Sequence, residues 1–346
     1  MLDFVEKEIS VWDRLQSANL PIMLYGMGDG AEKIIGELSK RNLMVQEIFA
    51  SDEFVRGHSW NGYKVRKFSE ICEMYKDFII LVAFGVHDTP TMNRLYEMSK
   101  NYELYAPDVP VVGEGAFDLE YFNAYRDEFE KAYALMADDL SKRVFEYSLR
   151  YKITGKIEYL KEMESTPDEV YNNLLKLGRD EVYADLGAYD GDTIREFLQY
   201  AAANRIIALE PDAKNFKKLL KKTEGVEAYN AGAWSEDTKL PFATRGGRNS
   251  KVGGETLIDM RSLDSVLSGD IVTYIKLDVE GAEYEALLGA KEAIAQNKPC
   301  IFCAVYHRNE DLFKIPILIH QLNPEYKLYL RHYPYIPAWE TNIVAI

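Results

Sequence analysis

Residues Val182 to Thr193 read VYADLGAYDGDT: an apolar strand carries Asp185 to its end and passes through a glycine-bearing turn into a helix. In a parallel sheet this places Asp185 at the carboxyl edge. Gly187 and Gly191 let the backbone turn tightly and approach a ligand, and the following helix presents unpaired N–H groups. The stretch departs from the G-x-G-x-x-G fingerprint of dinucleotide sites, and Asp190 and Asp192 occupy the turn where a pyrophosphate would have to sit. Phosphate is repelled there. A ligand without phosphate but with an amine or a sulfonium is attracted.

S-Adenosylmethionine has those properties, and the following residues extend the match. After a helix over about 194–203, the strand Arg205 to Leu209 ends in Glu210, about 25 residues beyond Asp185. That is the interval at which a carboxylate accepts bonds from ribose hydroxyls. Two carboxylates at consecutive strand ends repel each other unless a polar ligand uses them. Tyr274 to Ile294 then gives a further strand, Asp278 at its end, and a helix.

The blocks DLGAYDGDT (185–193), ALEPDAKNF (208–216), NAGAWSED (230–237), LIDMRSLDSVL (257–267), IKLDVEGAEYEALLGA (275–290) and TNIVAI (341–346) stand in family order. Through them the C-terminal half resembles the FkbM family of S-adenosylmethionine-dependent methyltransferases. The resemblance implies an α/β, Rossmann-like class I methyltransferase fold with S-adenosylmethionine as cofactor. Asp185 and the backbone around Gly187 and Ala188 would then hold the methionine amine and the central part of the ligand, while Asp192 and Thr193 open the helix and orient or cap it. Glu210 would take both ribose hydroxyls, Pro211 fixes the chain leaving that strand, and Asp278 completes the cofactor set. By analogy with the family, Ala233 and Trp234 border the adenine, plain core packing being the alternative for Trp234.

Methyl transfer from a sulfonium is a one-step displacement, so the protein mainly aligns acceptor oxygen, methyl and sulfur. A hydroxyl acceptor must also lose its proton. Lys276, Asp278 and Glu280 lie on a strand or its exit, and His307 follows the next strand at the same sheet edge. His307 is the expected general base because imidazole titrates near neutral pH, with Glu280 and Lys276 as its catalytic neighbours. The family commonly carries a carboxylate two residues before this histidine, where this chain has Val305; that departure removes a metal ligand, and no metal is expected. His58, His87, His320 and His332 have no partner pattern and default to surface or core roles.

The 346 residues suffice for two domains, and 47% hydrophobic content can fill two cores. No apolar run reaches the length of a membrane span, and the N-terminus MLDFVEKEIS shows no signal segment, so a soluble cytoplasmic enzyme is expected. A net charge of −15 argues against a nucleic-acid substrate. Cys72, Cys300 and Cys303 make no disulfide framework, as in a reducing compartment, and C-x-x-C at 300–303 falls on a buried strand, where positions three apart face opposite ways.

Strand and helix signals alternate over 1–118, predicting a smaller N-terminal Rossmann-like domain. Residues 119–178 carry apolar residues at helical spacing and read as a helical connector; alternation resumes over 179–346, with a hairpin insertion around 244–255. The N-terminal unit has its own turn, Gly26, Gly28, Gly30 and Ala31 in G-x-G-x-x-A spacing, with Asp52 where a ribose carboxylate would sit. This segment weakly resembles N-terminal domains of sugar-modifying enzymes, which implies a nucleotide or nucleotide-sugar partner; the alternative is that the glycines only allow close packing. The expected activity is O-methylation of a small-molecule or glycan acceptor. Its rivals are an NAD-dependent oxidoreductase working through the N-terminal turn and a non-catalytic binding module.

Overall fold

The computed structural model describes residues 1–113, 115–243, 251–252 and 256–346. The N-terminal strands are β1 (Ile22–Tyr25), β2 (Val45–Ala50), β3 (Ser59–Trp60), β4 (Tyr63–Lys67), β5 (Ile79–Val82) and β6 (Glu103–Tyr105). They form a sheet of order β3-β4-β2-β1-β5-β6, parallel apart from the β3–β4 edge. Strands β1 and β5 are buried along their whole length because helices cover both faces, which is why they read as continuous apolar runs. Helix Asp29–Lys40 turns Ala31, Ile34 and Leu38 inward, one stripe at helical spacing.

The C-terminal unit begins with β7 (Glu181–Leu186), β8 (Ala203–Leu209) and β9 (Val226–Tyr229). Next come β10 (Gly232–Ala233), β11 (Thr238–Ala243), β12 (Lys251–Val252) and β13 (Thr256–Arg261), which make a small sheet of their own. Strands β14 (Tyr274–Leu277), β15 (Cys300–Ala304), β16 (Leu328–His332) and β17 (Thr341–Ala345) complete the main sheet, of order β16-β17-β15-β14-β7-β8-β9, with β17 antiparallel to both neighbours. Chain direction across the sheet reverses between β7 and β14, the switch point outside which α/β sheets bind ligands. The insertion expected at 244–255 lies outside the described residues except for Lys251–Val252, which pairs with Phe242 and Ala243. Cys300 and Cys303 are both free; Cys303 packs in one core layer and Cys300 against the other.

The helical segment is bonded into both sheets. Tyr151 donates to the carbonyl of Ala106 (2.8 Å) and the buried Lys152 pairs with Asp108 at 2.8 Å, both toward the N-terminal unit. On the other side Arg331 of β16, 2% exposed, reaches Asp138 (2.7 Å) and Glu169 (3.1 Å). One apolar cluster accordingly runs from Met23 and Phe49 through Phe129 and Phe145 to Ile275 and Val305. No helix among the described residues is long and apolar enough to cross a membrane.

Candidate active site

At the carboxyl edge of β7, β8 and β14 lies a cavity of about 480 Å³. The turn after β7 is held tightly against the neighbouring strand exit. Gly187 has φ +86°, and a Cβ there would sit 1.9 Å from the carbonyl oxygen of Asp278, so only glycine lets the two segments meet. Gly191, φ +83°, precedes helix Asp192–Tyr200.

Asp185 is fully buried. Its Oδ2 accepts a 2.5 Å bond from the Thr193 hydroxyl, whereas Oδ1 has no hydrogen-bond partner and faces the Lys276 ammonium at 3.7 Å. Burial raises the Asp185 carboxyl above its ordinary range, with Lys276 and Thr193 opposing. Burial alone would depress Lys276, but Asp185 and Asp278 outweigh it and hold the amine charged, which removes Lys276 as a proton acceptor. Glu210 accepts 2.8 Å bonds from the Tyr189 and Asp212 amides, one on each oxygen. Burial pushes it up to about 7. Each oxygen keeps a lone pair for a ligand hydroxyl.

Gly187, Asp192, Thr193, Glu210, Pro211, Ala233, Lys276, Asp278 and Glu280 all line the cavity. The Ala188 side chain is buried in a core layer, and its amide donates to Leu209 O at 3.0 Å. Trp234 does not line the cavity; its amide bonds to Arg261 O (2.9 Å) and its carbonyl packs on Gly289, while Gly232, Ala233, Phe242 and Met260 do line it. Of the two turn acids only Asp192 faces the cavity, since Asp190 is tied to Arg195 and Lys222.

His307 is not the neutral base expected. It is 1% exposed, with Nδ1 2.9 Å from Glu283 Oε1, and Nε2 3.4 Å from Asp278 and 3.5 Å from Glu280. Burial lowers the affinity of the ring for a proton, but Glu283, Glu280 and Asp278 together override it and push the imidazole up to about 10. A histidine already protonated at neutral pH accepts no proton. Glu283 was missed in the sequence because it lies 24 positions before His307; it arrives from helix Glu283–Leu288, with Oε1 held by the amides of Val279 (2.8 Å) and Gly281 (3.4 Å).

His87 was assigned a surface or core role, yet it lines the cavity beside Thr89 and stacks on Tyr335 with centroids 5.6 Å apart. Its only sequence signal is its position just past the carboxyl end of an N-terminal strand. The antiparallel bridge between Val86 and Ile336 brings it there. His332 is a core residue, bonded to the Thr341 hydroxyl (3.0 Å) and depressed by burial to about 3.

Two glycines of the N-terminal turn, Gly26 and Gly30, are packed closely. A Cβ at Gly26 would meet the Phe84 ring at 2.6 Å, and one at Gly30 the Ala83 carbonyl at 2.8 Å, while Gly28, φ +104°, faces open space. Asp52 spends its carboxylate on Ser69, accepting from the hydroxyl at 2.7 Å.

The seven-stranded order, the antiparallel β17 and the acid-rich cavity at the switch point define a Rossmann-like class I methyltransferase. Residues 185–337 match the family model described as the methyltransferase FkbM domain. The crystal structure of methyltransferase FkbM from Methylobacillus flagellatus KT shares the fold at a TM-score of 0.73 and 20% identity, over 100% of this chain and 92% of that one. An rRNA methylase from Streptococcus thermophilus matches at 12% identity and a TM-score of 0.35, over 52% of this chain and 96% of that one. A putative methyltransferase from Streptococcus mutans in complex with SAH matches at 11% and 0.34, over 52% and 97%. No curated protein matches the chain.

Proposed function

We propose that the protein transfers the methyl group of S-adenosylmethionine to a hydroxyl of a small-molecule or glycan acceptor. The observation that carries this reading is the pair of buried carboxylates at consecutive strand ends, Glu210 lining a cavity together with Asp192, Glu196, Asp278, Glu280 and Glu340, and Asp185 directly behind that lining. Such a wall suits a ligand bearing an amine, a sulfonium and a diol, and it repels phosphates. The orphaned Oδ1 of Asp185 and the glycine cradle at Gly187 fit that ligand as well.

The bound cofactor would supply an electrophilic methyl group, which passes to the acceptor oxygen as the carbon–sulfur bond breaks and its electron pair returns to sulfur. Asp185 and Glu210 fix amine and ribose. Glu280, 24% exposed at the cavity wall, takes the acceptor proton. His307⁺ and Lys276⁺ keep Asp278 in place (3.4 and 3.8 Å). On the acceptor side Phe302, Tyr306, Tyr333 and Tyr335 alternate with Asn342 and Glu340, which suits a ring with apolar faces and hydroxyl edges.

Calorimetry with S-adenosylhomocysteine, followed by turnover on a panel of methyl glycosides and small alcohols, tests the reading. Glu280→Gln is expected to cut turnover by about 10² to 10⁴ while leaving S-adenosylhomocysteine affinity nearly unchanged. Absence of binding at millimolar ligand sinks the cofactor assignment. Binding without transfer to any hydroxyl on the panel would instead identify a non-catalytic module.

A further inference from the structure

We propose that the N-terminal unit completes the acceptor side of the cavity, where His87 and Thr89 take the non-reacting hydroxyls of a sugar ring. Their role as acceptor contacts rests on the methyl-transfer reading, whereas a ligand contact at these two residues does not. The donor carboxylates stand at the ends of β7 and β8, while His87 stacks on Tyr335 in the connection between β16 and β17. In the order β16-β17-β15-β14-β7-β8-β9, five strand spacings separate β8 from β16, about 24 Å at roughly 4.8 Å each. His87 therefore lies at the opposite end of the cavity from Glu210.

Both residues are exposed, and both line the cavity. Among the described residues, nothing hydrogen-bonds the His87 ring nitrogens or the Thr89 hydroxyl. Asp88 between them is already used, its carboxylate accepting from the Thr91 amide at 2.9 Å as the N-cap of helix Thr89–Asn101. The middle side chain closes a helix, and the outer two are left for the cavity. His87 is also held in place, by the bridge from Val86 to Ile336 on one side, by the capped helix on the other, and by the Tyr335 ring at an interplanar angle of 23°. A polar group fixed in advance loses less freedom when a ligand bonds to it.

The ligand class follows from these groups. An imidazole and a hydroxyl can each donate and accept, as neighbouring ring hydroxyls do, so the pair suits a diol. Beside them the rings of Tyr335, Phe302 and Tyr333, the last two with centroids 5.9 Å apart, offer apolar faces to the carbon side of a pyranose. A monohydric phenol would use the rings alone. It would desolvate His87 and Thr89 without bonding them, which is how a polar site rejects an analogue that lacks the hydroxyls.

The test uses the full-length protein with S-adenosylhomocysteine, a panel of methyl glycosides, and phenol as the ring without a diol. Titrations followed by NMR give the affinity of each probe, and turnover with S-adenosylmethionine gives KM and kcat separately. His87→Phe keeps a ring on Tyr335 and removes both nitrogens. It is expected to raise the dissociation constant and KM of the best-bound glycoside about 3- to 10-fold, the worth of one or two hydrogen bonds, with kcat and S-adenosylhomocysteine affinity within about twofold. His87→Asn keeps a donor and an acceptor and should recover part of that loss. The exposed His58, outside the cavity wall, supplies the control: His58→Phe should change nothing. If His87→Phe does not fold, Thr89→Val carries the test alone. Glycoside affinity equal in the folded variant and the parent overturns the assignment, as does a parent that binds phenol as well as every glycoside or binds no glycoside at millimolar probe. If glycoside affinity falls in His87→Phe but no probe is methylated, the contact stands and the methyl-transfer reading fails. A parent that binds no S-adenosylhomocysteine also sinks that reading, and the glycoside titration of the ligand-free protein then decides the contact.

Discussion

The chain builds a strand, a glycine turn and a helix twice, at 22–40 and at 181–200, and the two turns face different things. At the first, Gly26 and Gly30 lie against Phe84 and the Ala83 carbonyl, and the nearby acid, Asp52, is bonded to Ser69. At the second, Gly187 lies against the carbonyl of Asp278, and the nearby acids, Asp185 and Glu210, are buried with raised proton affinities, Glu210 in the cavity wall and Asp185 behind it. Glycine spacing therefore reports only that two backbones come close. A ligand is signalled by carboxylates that the protein buries without giving them enough positive charge.

Substitutions can break this contrast or sharpen it. The largest effect is expected at Gly187→Ala, where both the positive φ and a 1.9 Å clash with backbone oppose a side chain; unfolding free energy should drop by about 3 kcal/mol or more in denaturant titration. Gly30→Ala, in a helix and 2.8 Å from a carbonyl, should lose only about 1 kcal/mol, the helix propensity of alanine offsetting part of the overlap. Equal losses would erase the distinction between the turns. Glu210→Ala should weaken S-adenosylhomocysteine by about 1.5–3 kcal/mol, roughly 10- to 150-fold, because two hydroxyls lose a charged acceptor; unchanged affinity in a folded variant removes the ribose assignment.

A titration gives the next effect. Glu210 has an ordinary value of 4.5 and a folded value of about 7, raised by burial and by Asp212 and Asp185. Its proton is bound more tightly in the folded state, so its stabilising contribution to the ligand-free protein is complete below pH 4.5 and is lost as pH rises to 7. The ligand needs the ionised form. S-Adenosylhomocysteine affinity should accordingly fall about tenfold from pH 8 to pH 6, and the slope should vanish in Glu210→Gln. The smallest effect is reserved for Asp52→Ala: a melting temperature within about 2 °C of the parent and no change in S-adenosylhomocysteine binding. A thermal shift by NAD or a nucleotide sugar that this substitution abolishes would reinstate a ligand at the first turn.

What the sequence disclosed is what local rules encode. The apolar run into Asp185, the interval to Glu210 and the block from Lys276 to Glu280 each lie within one strand and its exit, so periodicity and turn chemistry place them. What it concealed depends on elements far apart in the chain. His307 reads as a neutral base until Glu283 is seen beside it, and His87 reads as incidental until Tyr335 meets it from the other unit. Trp234 does not line the cavity that its neighbour Ala233 lines, and nothing in the local sequence distinguishes the two. The continuity of the core across 119–178 was equally hidden, because helical periodicity reveals an apolar stripe but not its partner.

The bridge between Val86 and Ile336 has a consequence for protein engineering. Its two backbone bonds, 2.8 and 2.9 Å, and the Trp339 ring pressed on Gly85, where a Cβ would approach within 2.5 Å, join the C-terminal unit to the N-terminal loop that brings His87 and Thr89 into the cavity wall. Transplanting residues 179–346 onto another N-terminal module would preserve donor chemistry but remove His87 and Thr89 from the wall. On the methyl-transfer reading proposed above, the seam between the units would set acceptor selectivity, so a library aimed at new acceptors should vary the 84–89 and 333–340 loops together.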